Sequence, residues 1–223
     1  MGQLSSWWDH VQARAYFSYF QLVNLTARFR VEGKEHWLAA KASGRPILWS
    51  FWHGQLHPFM HYGYKFLDRS SFVVITVGDE RARVLNRMAS YLGTAGAYAV
   101  DMQGNPMASG RSVLRVIKAM KQGRQSAIAP DGPDGPADVP KQGIGFLARK
   151  AAAAILPVGG WTRQAIELDR WDHYLVALPF ARFHLVIGEP ILTNEDTDSV
   201  TLLGRITAAL NAVRARAQFL AGV

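Results

Sequence analysis

The spacing of apolar and polar residues changes character several times along this 223-residue chain. Residues 7–29 are dense in apolar and aromatic side chains at helical spacing: Trp7, Trp8, Tyr16, Phe17, Tyr19, Phe20, Leu22, Val23, Leu25 and Phe29. "GKEHWLAAKASG" predicts a short helix ending near Gly44. "RPILWSFW" and "SFVVITV" are continuous apolar, β-rich runs that predict buried strands. Residues 80–93 predict an amphipathic helix closed by Gly93, and "GAYAVD" a weaker strand. Residues 109–123 predict a helix, "QSAIAP" a strand, 143–153 a helix, "AILPVGGW" and "FHLVIGEP" two more strands, and 199–220 a closing helix.

Strands alternating with helices of this length predict βαβ units, hence an α/β fold whose mostly parallel sheet is covered by helices on both faces. We divide the chain into an N-terminal helix (1–30) and one α/β domain (31–223). Ligands of such sheets bind beyond the carboxyl ends of the strands. That rule points to the loops after Trp52, Val77, Asp101, Pro130 and Val158.

Composition narrows the chemistry. The absence of cysteine removes disulfides, thiolate nucleophiles and cysteine metal sites. The net charge of +8 is concentrated in the first 150 residues, which hold 19 of the 25 basic side chains. Such an excess favours a polyanionic surface. Without an aromatic stacking pattern for bases, an anionic membrane surface is the expected partner and nucleic acid is not. No signal peptide is evident. The uncharged stretch "AYFSYFQLVNLTA" is too short and too polar to span a bilayer core of about 30 Å. The N-terminal helix therefore reads as amphipathic and interfacial, the alternative being a helix packed on the domain's own core.

Two loops hold candidate chemistry. His53 follows a strand directly and precedes Gly54, at the sheet's carboxyl edge. It is either a general base, a role that contributes roughly 10²–10⁴-fold, or a histidine bonded to a neighbouring loop. "IAPDGPDGPADVPKQG" sets Asp131 and Asp134 among prolines and glycines that leave few conformers. It is either a site loop or a strand-to-helix connection built from turn formers. His53, His57 and His61 have the i, i+4, i+8 spacing of helical metal ligands, but Gly54, Pro58 and Gly63 are expected to interrupt that helix, and no metal is assigned.

In order, "RFRVEG…PILWSFWHGQL", "APDGPDGP…KQGIGFLARKAAAAILPVGG" and "RWDHYLVALPFARFHLVIGEPI" resemble a bacterial family of uncharacterised proteins within the lysophospholipid acyltransferase superfamily. The resemblance runs from about Thr26 to Ile191. It implies a mostly parallel sheet flanked by helices, and transfer of a fatty acyl group from a carrier thioester to a hydroxyl or amine of a lipid acceptor. By resemblance His53 is the catalytic histidine. Asp131 stands where the superfamily's Pro-Glu-Gly-Thr-Arg motif has its carboxylate, and Pro157 and Val158 stand where its final motif lies. Gly54, Gly132, Pro133, Asp134 and Asp101 complete the expected substrate-binding set.

Three departures alter that picture. The superfamily's His-x-x-x-x-Asp motif has Pro58 in place of its aspartate, so an orienting carboxylate must come from elsewhere, with Asp131 and Asp101 the nearest candidates by topology. Asp134 stands where arginine is usual, and "VDMQGNPMASG" replaces an Arg-Gly-Ser segment. A neutral, zwitterionic or amine-bearing acceptor is more compatible with these changes than a phosphate. The resemblance further implies acyl-CoA or acyl carrier protein as co-substrate, no tightly bound cofactor, and a peripheral position on the cytoplasmic face of the inner membrane. The alternative function is a non-catalytic lipid-binding or assembly protein on the same fold.

Overall fold

The computed structural model describes residues 2–77, 82–100 and 106–223. The chain begins with α1 (Gly2–Thr26), an edge strand β1 (Arg28–Glu32) and α2 (Lys34–Ala42). Strand β2 (Ile47–Ser50) leads through a 3-10 turn (His53–Gln55) into α3 (Leu56–Phe66). Then follow β3 (Phe72–Val77), α4 (Ala82–Leu92), β4 (Gly96–Val100), α5 (Pro106–Lys121), β5 (Gln125–Ile128), α6 (Gln142–Ala151) and β6 (Ala154–Trp161). A two-stranded hairpin, β7 (Ala165–Glu167) and β8 (Leu175–Ala177), precedes β9 (Arg182–Ile187), β10 (Ile191–Leu192) and α7 (Ser199–Ala221).

The main sheet runs β1-β9-β6-β2-β5-β3-β4, with β10 added beside β6. It is parallel except where β6 meets β9 and β10. Alternating side chains of β2 show how the core divides. Trp49 joins Phe59, Tyr62 and Phe183 on the face covered by α3. Leu48 joins Val116, Leu147 and Ile206 on the face covered by α5, α6 and α7. Both layers are apolar, which is why β2 and β6 read as continuous apolar runs.

Three expectations change. First, α1 is not an amphipathic helix with one apolar stripe. Ala13, Phe20, Val23 and Asn24 are buried, Phe20 stacking on His61 at 4.1 Å and Phe17 meeting Tyr91 of α4 at 5.4 Å. Trp7, Val11, Leu22 and Leu25 lie on the opposite, exposed face. The helix therefore packs on the domain's own core and also presents apolar residues outward. Second, the boundary at residue 30 falls inside β1, whose register with β9 runs from Arg28–Arg182 to Glu32–Val186. Third, Pro58 and Gly63 do not break the helix of the histidines. Helix α3 starts at Leu56, so Pro58 occupies the first turn, where its missing N–H has no intrahelical acceptor to lose.

Candidate active site

Strand β2 lies in the middle of the sheet, between β6 and β5, and His53 caps its carboxyl end. The loop following β5 stands beside it. The Asp131 carboxylate is buried under that loop, and its Oδ1 accepts the backbone N–H of His53 at 3.0 Å. Its Oδ2 accepts the backbone N–H of Asp138 at 3.3 Å. Burial raises the Asp131 pKa, opposed by these N–H bonds and by His53. Asp131 thus holds the His53 main chain, and the imidazole takes its carboxylate from another loop.

That carboxylate is Asp172. His53 Nδ1 and Asp172 Oδ2 are 2.7 Å apart, with the Asp172 side chain fully buried and the imidazole 20% exposed. A carboxylate offers only acceptors, so Nδ1 carries the proton and Nε2 keeps a lone pair for chemistry. Asp172 sits in the loop joining β7 to β8, which is closed by the Leu168 N–H donating to Tyr174 O at 3.0 Å. Arg170 from the same loop reaches both Asp172 oxygens at 3.3 Å. Burial and the Asp172 charge push the Tyr174 phenol above its ordinary value.

Glycine makes the three loops fit together. A Cβ on Gly54 would stand 2.1 Å from the Asp172 carbonyl oxygen, so Gly54 lets the β7–β8 loop seat against the His53 turn. A Cβ on Gly132 would stand 2.6 Å from His53 Cδ2, so the main chain there lies along the imidazole edge. Gly135, at φ +74°, lies beneath Trp171, whose ring centroid is 5.3 Å from that of His53. Helix α7 pins the same loops: Arg214 donates to Asp138 at 2.6 Å, and Trp52 Nε1 donates to Asn211 at 3.0 Å.

The structure thus gathers His53, Gly54, Asp131 and Gly132 in one place. Pro133 is half-buried in the same loop and Asp134 is exposed. Pro157 and Val158 are buried within β6, Pro157 in register with Ser50 and Val158 with Ile187, so they support the sheet beneath the site. Asp101 lies outside the described residues. Asp172, Arg170 and Trp171 were missed. Their segment, "RWDHY", follows β6 at the sheet's carboxyl side, which is the region the topological rule indicated without naming a carboxylate.

Pro58 packs where an orienting aspartate is absent: a Cβ on Gly160 of β6 would stand 2.7 Å from Pro58 Cβ. His57 and His61 form a separate pair on α3, with His61 fully buried and His57 half-buried. His57 Nδ1 accepts the Ala177 N–H at 2.9 Å, so its proton sits on Nε2, which lies 3.2 Å from His61 Nε2. Burial lowers the pKa of His57 to about 4 and, with the neighbouring His57, that of His61 to about 2. Among the described residues no group of three or more His, Asp or Glu side chains is arranged to hold a metal ion.

Comparison with known proteins adds a fold and one relative. No protein-family model matches the chain. The uncharacterized protein RP090 of Rickettsia prowazekii (strain Madrid E) is 23% identical over 147 residues, 65% of this chain. The match spans 63% of that relative's length. The crystal structure of the 1-acyl-sn-glycerophosphate (LPA) acyltransferase PlsC from Thermotoga maritima superposes with a TM-score of 0.58 at 16% identity, over 93% of this chain and 79% of that one. The chain therefore has the α/β fold seen in that acyltransferase.

Proposed function

We propose that the protein is a peripheral membrane acyltransferase, moving a fatty acyl group from a carrier thioester to a hydroxyl or amine of a lipid acceptor. The observation that carries this reading is the 2.7 Å pairing of His53 Nδ1 with the buried Asp172 carboxylate at the mouth of the sheet. The buried carboxylate fixes the imidazole tautomer and leaves Nε2 able to accept a proton, which supports a general base over a histidine that only braces the neighbouring loop.

In the proposed reaction, His53 Nε2 accepts the proton of the acceptor's hydroxyl or amine as that group attacks the thioester carbonyl. Asp172 holds the ring and balances the imidazolium that forms. The tetrahedral intermediate collapses with cleavage of the carbon–sulfur bond, and the imidazolium returns the proton to the departing thiolate. Asp131 positions His53 through its main chain. Gly132 and Trp171 border the imidazole, where the reacting groups would meet. Acyl-CoA or acyl carrier protein would supply the acyl group. We propose attachment from one side, at the cytoplasmic face of the inner membrane. Among the described residues no helix is long and apolar enough to cross a membrane.

The test is to incubate the purified chain with acyl-CoA or acyl carrier protein thioester and a bacterial lipid extract, following free thiol and, by mass spectrometry, acylated lipid. Thiol and a new acyl-lipid appearing together, and only with intact His53, are expected. Lipid that copurifies unchanged with wild type and His53→Ala, with no thiol released by either, would replace this reading with a non-catalytic lipid-binding protein.

A further inference from the structure

Where the end of α1 meets the turn after β8, apolar side chains point into solvent beside three arginines. The Phe180 N–H donates to Thr26 Oγ1 at 2.9 Å and the Arg28 N–H to Ala181 O at 2.9 Å, so the two segments form one surface. On it Leu25 is 83% exposed, Phe180 74% and Leu22 50%. Phe180 has φ +66°, a conformation that a bulky residue adopts at a cost. Arg28 and Arg182 are direct cross-strand partners on β1 and β9, both exposed, and Arg30 shares their face. Like charges placed directly opposite repel. Among the described residues no carboxylate lies within 4.0 Å of these three arginines. The nearby Glu32 is engaged by Arg216 at 2.9 Å.

An exposed phenylalanine and a self-repelling arginine pair are both costs in water. A single partner that covers the ring and supplies negative charge relieves both. We infer that this surface docks on an anionic lipid bilayer, with Leu22, Leu25 and Phe180 entering the acyl boundary and Arg28, Arg30 and Arg182 meeting the headgroups. Separate knobs ringed by unpaired positive charge suit a fluid anionic surface better than a second copy, which would bring the same arginines against themselves. The exposed stripe of α1 continues through Val11 to Trp7, whose ring suits the headgroup boundary. The surface also has a direct line to the site: Asp172 and Phe180 belong to one continuous segment, in which β8 runs between them. The inference deepens the peripheral-membrane part of the proposed function by assigning the residues that make the contact.

The experiment is co-sedimentation of the full chain with phosphatidylcholine vesicles, with and without phosphatidylglycerol. Wild type should pellet far better when phosphatidylglycerol is present. Leu25→Gln combined with Phe180→Asn should weaken binding roughly tenfold per side chain. Asparagine tolerates the positive φ, so an unchanged melting temperature is expected to accompany the loss. Arg28→Gln and Arg182→Gln should each cost about fivefold, on the anionic vesicles only. Phe146→Gln, which alters an exposed aromatic on α6, should bind as wild type. Variants that sediment like wild type, or a wild type that ignores both vesicle types, would overturn the inference even if acyl transfer were found. A wild-type dimer that the Leu25 and Phe180 changes split, with vesicle binding unaltered, would also overturn it. Sedimentation that depends on Leu25 and Phe180 in a protein that releases no thiol would sustain the surface and remove the acyl-transfer reading.

Discussion

His53 Nδ1 and Asp172 Oδ2 stand 2.7 Å apart across 119 residues of sequence, one at the end of β2 and the other in the β7–β8 loop. The pairing supplies from a distant loop the carboxylate that Pro58 does not supply five residues after the histidine. Arg170 shares Asp172, so that carboxylate is held from two sides.

Gly54 is the contact that lets the β7–β8 loop approach, and its substitution should separate catalysis from folding. A methyl 2.1 Å from the Asp172 carbonyl must push the loop outward. Gly54→Ala is expected to cost about 1–3 kcal/mol of stability, as overpacking does. It should lower turnover about 10²-fold by moving Asp172 away from the imidazole. Thermal unfolding and the rate of thiol release check the two effects on one sample.

Asp131 is expected to behave as a main-chain support. Its two oxygens accept the N–H groups of His53 and Asp138. Asp131→Asn places an amide donor against one of those N–H groups. The change should destabilise the protein by about 1–3 kcal/mol, and by more than Asp134→Asn on the exposed turn. Denaturant melts of the two variants decide this.

The buried histidines make stability depend on pH. In the folded chain His57 stays neutral down to about pH 4, while an unfolded histidine protonates near its ordinary value of about 6.5. Between those values the unfolded state binds the additional proton. Stability should therefore fall as pH drops from about 6.5 to 4, by on the order of 3 kcal/mol from His57. His57→Asn keeps an acceptor for the Ala177 N–H and removes the titrating group. Its melting temperature should fall less steeply over that interval, which pH-scanned thermal melts measure.

How much of this was legible depended on whether the signal was local. Leu48 and Trp49 lie on opposite faces of a doubly covered strand, so an unbroken apolar run announced β2 correctly. The turn chemistry of residues 130–136 was equally plain. What Asp131 bonds was not, because its partner is a backbone N–H on another loop. The first residues of edge strand β1 fall within the predicted N-terminal helix, because Phe29 continues the apolar density of α1 while Arg28 and Arg30 face out. Pro58 signals a helix break in the sequence, where its distance from the helix start is not visible. Asp172 had no signal of its own. The strands beside it are three residues each, too short for periodicity, and its partner is set by the folding of two distant loops against Gly54.

The claim that His53 and Asp172 act as one unit is tested most directly by a double-mutant cycle on the rate of acyl transfer, using His53→Ala, Asp172→Asn and the combination. Asp172→Asn alone should lower the rate between about 10²- and 10⁴-fold. His53→Ala should lower it at least as far, and the combined variant should be no slower than His53→Ala, because a carboxylate without its imidazole has nothing left to orient. Asp172→Asn turning over at the wild-type rate, or losses that multiply in the combined variant, would contradict the pairing as the working centre of this protein.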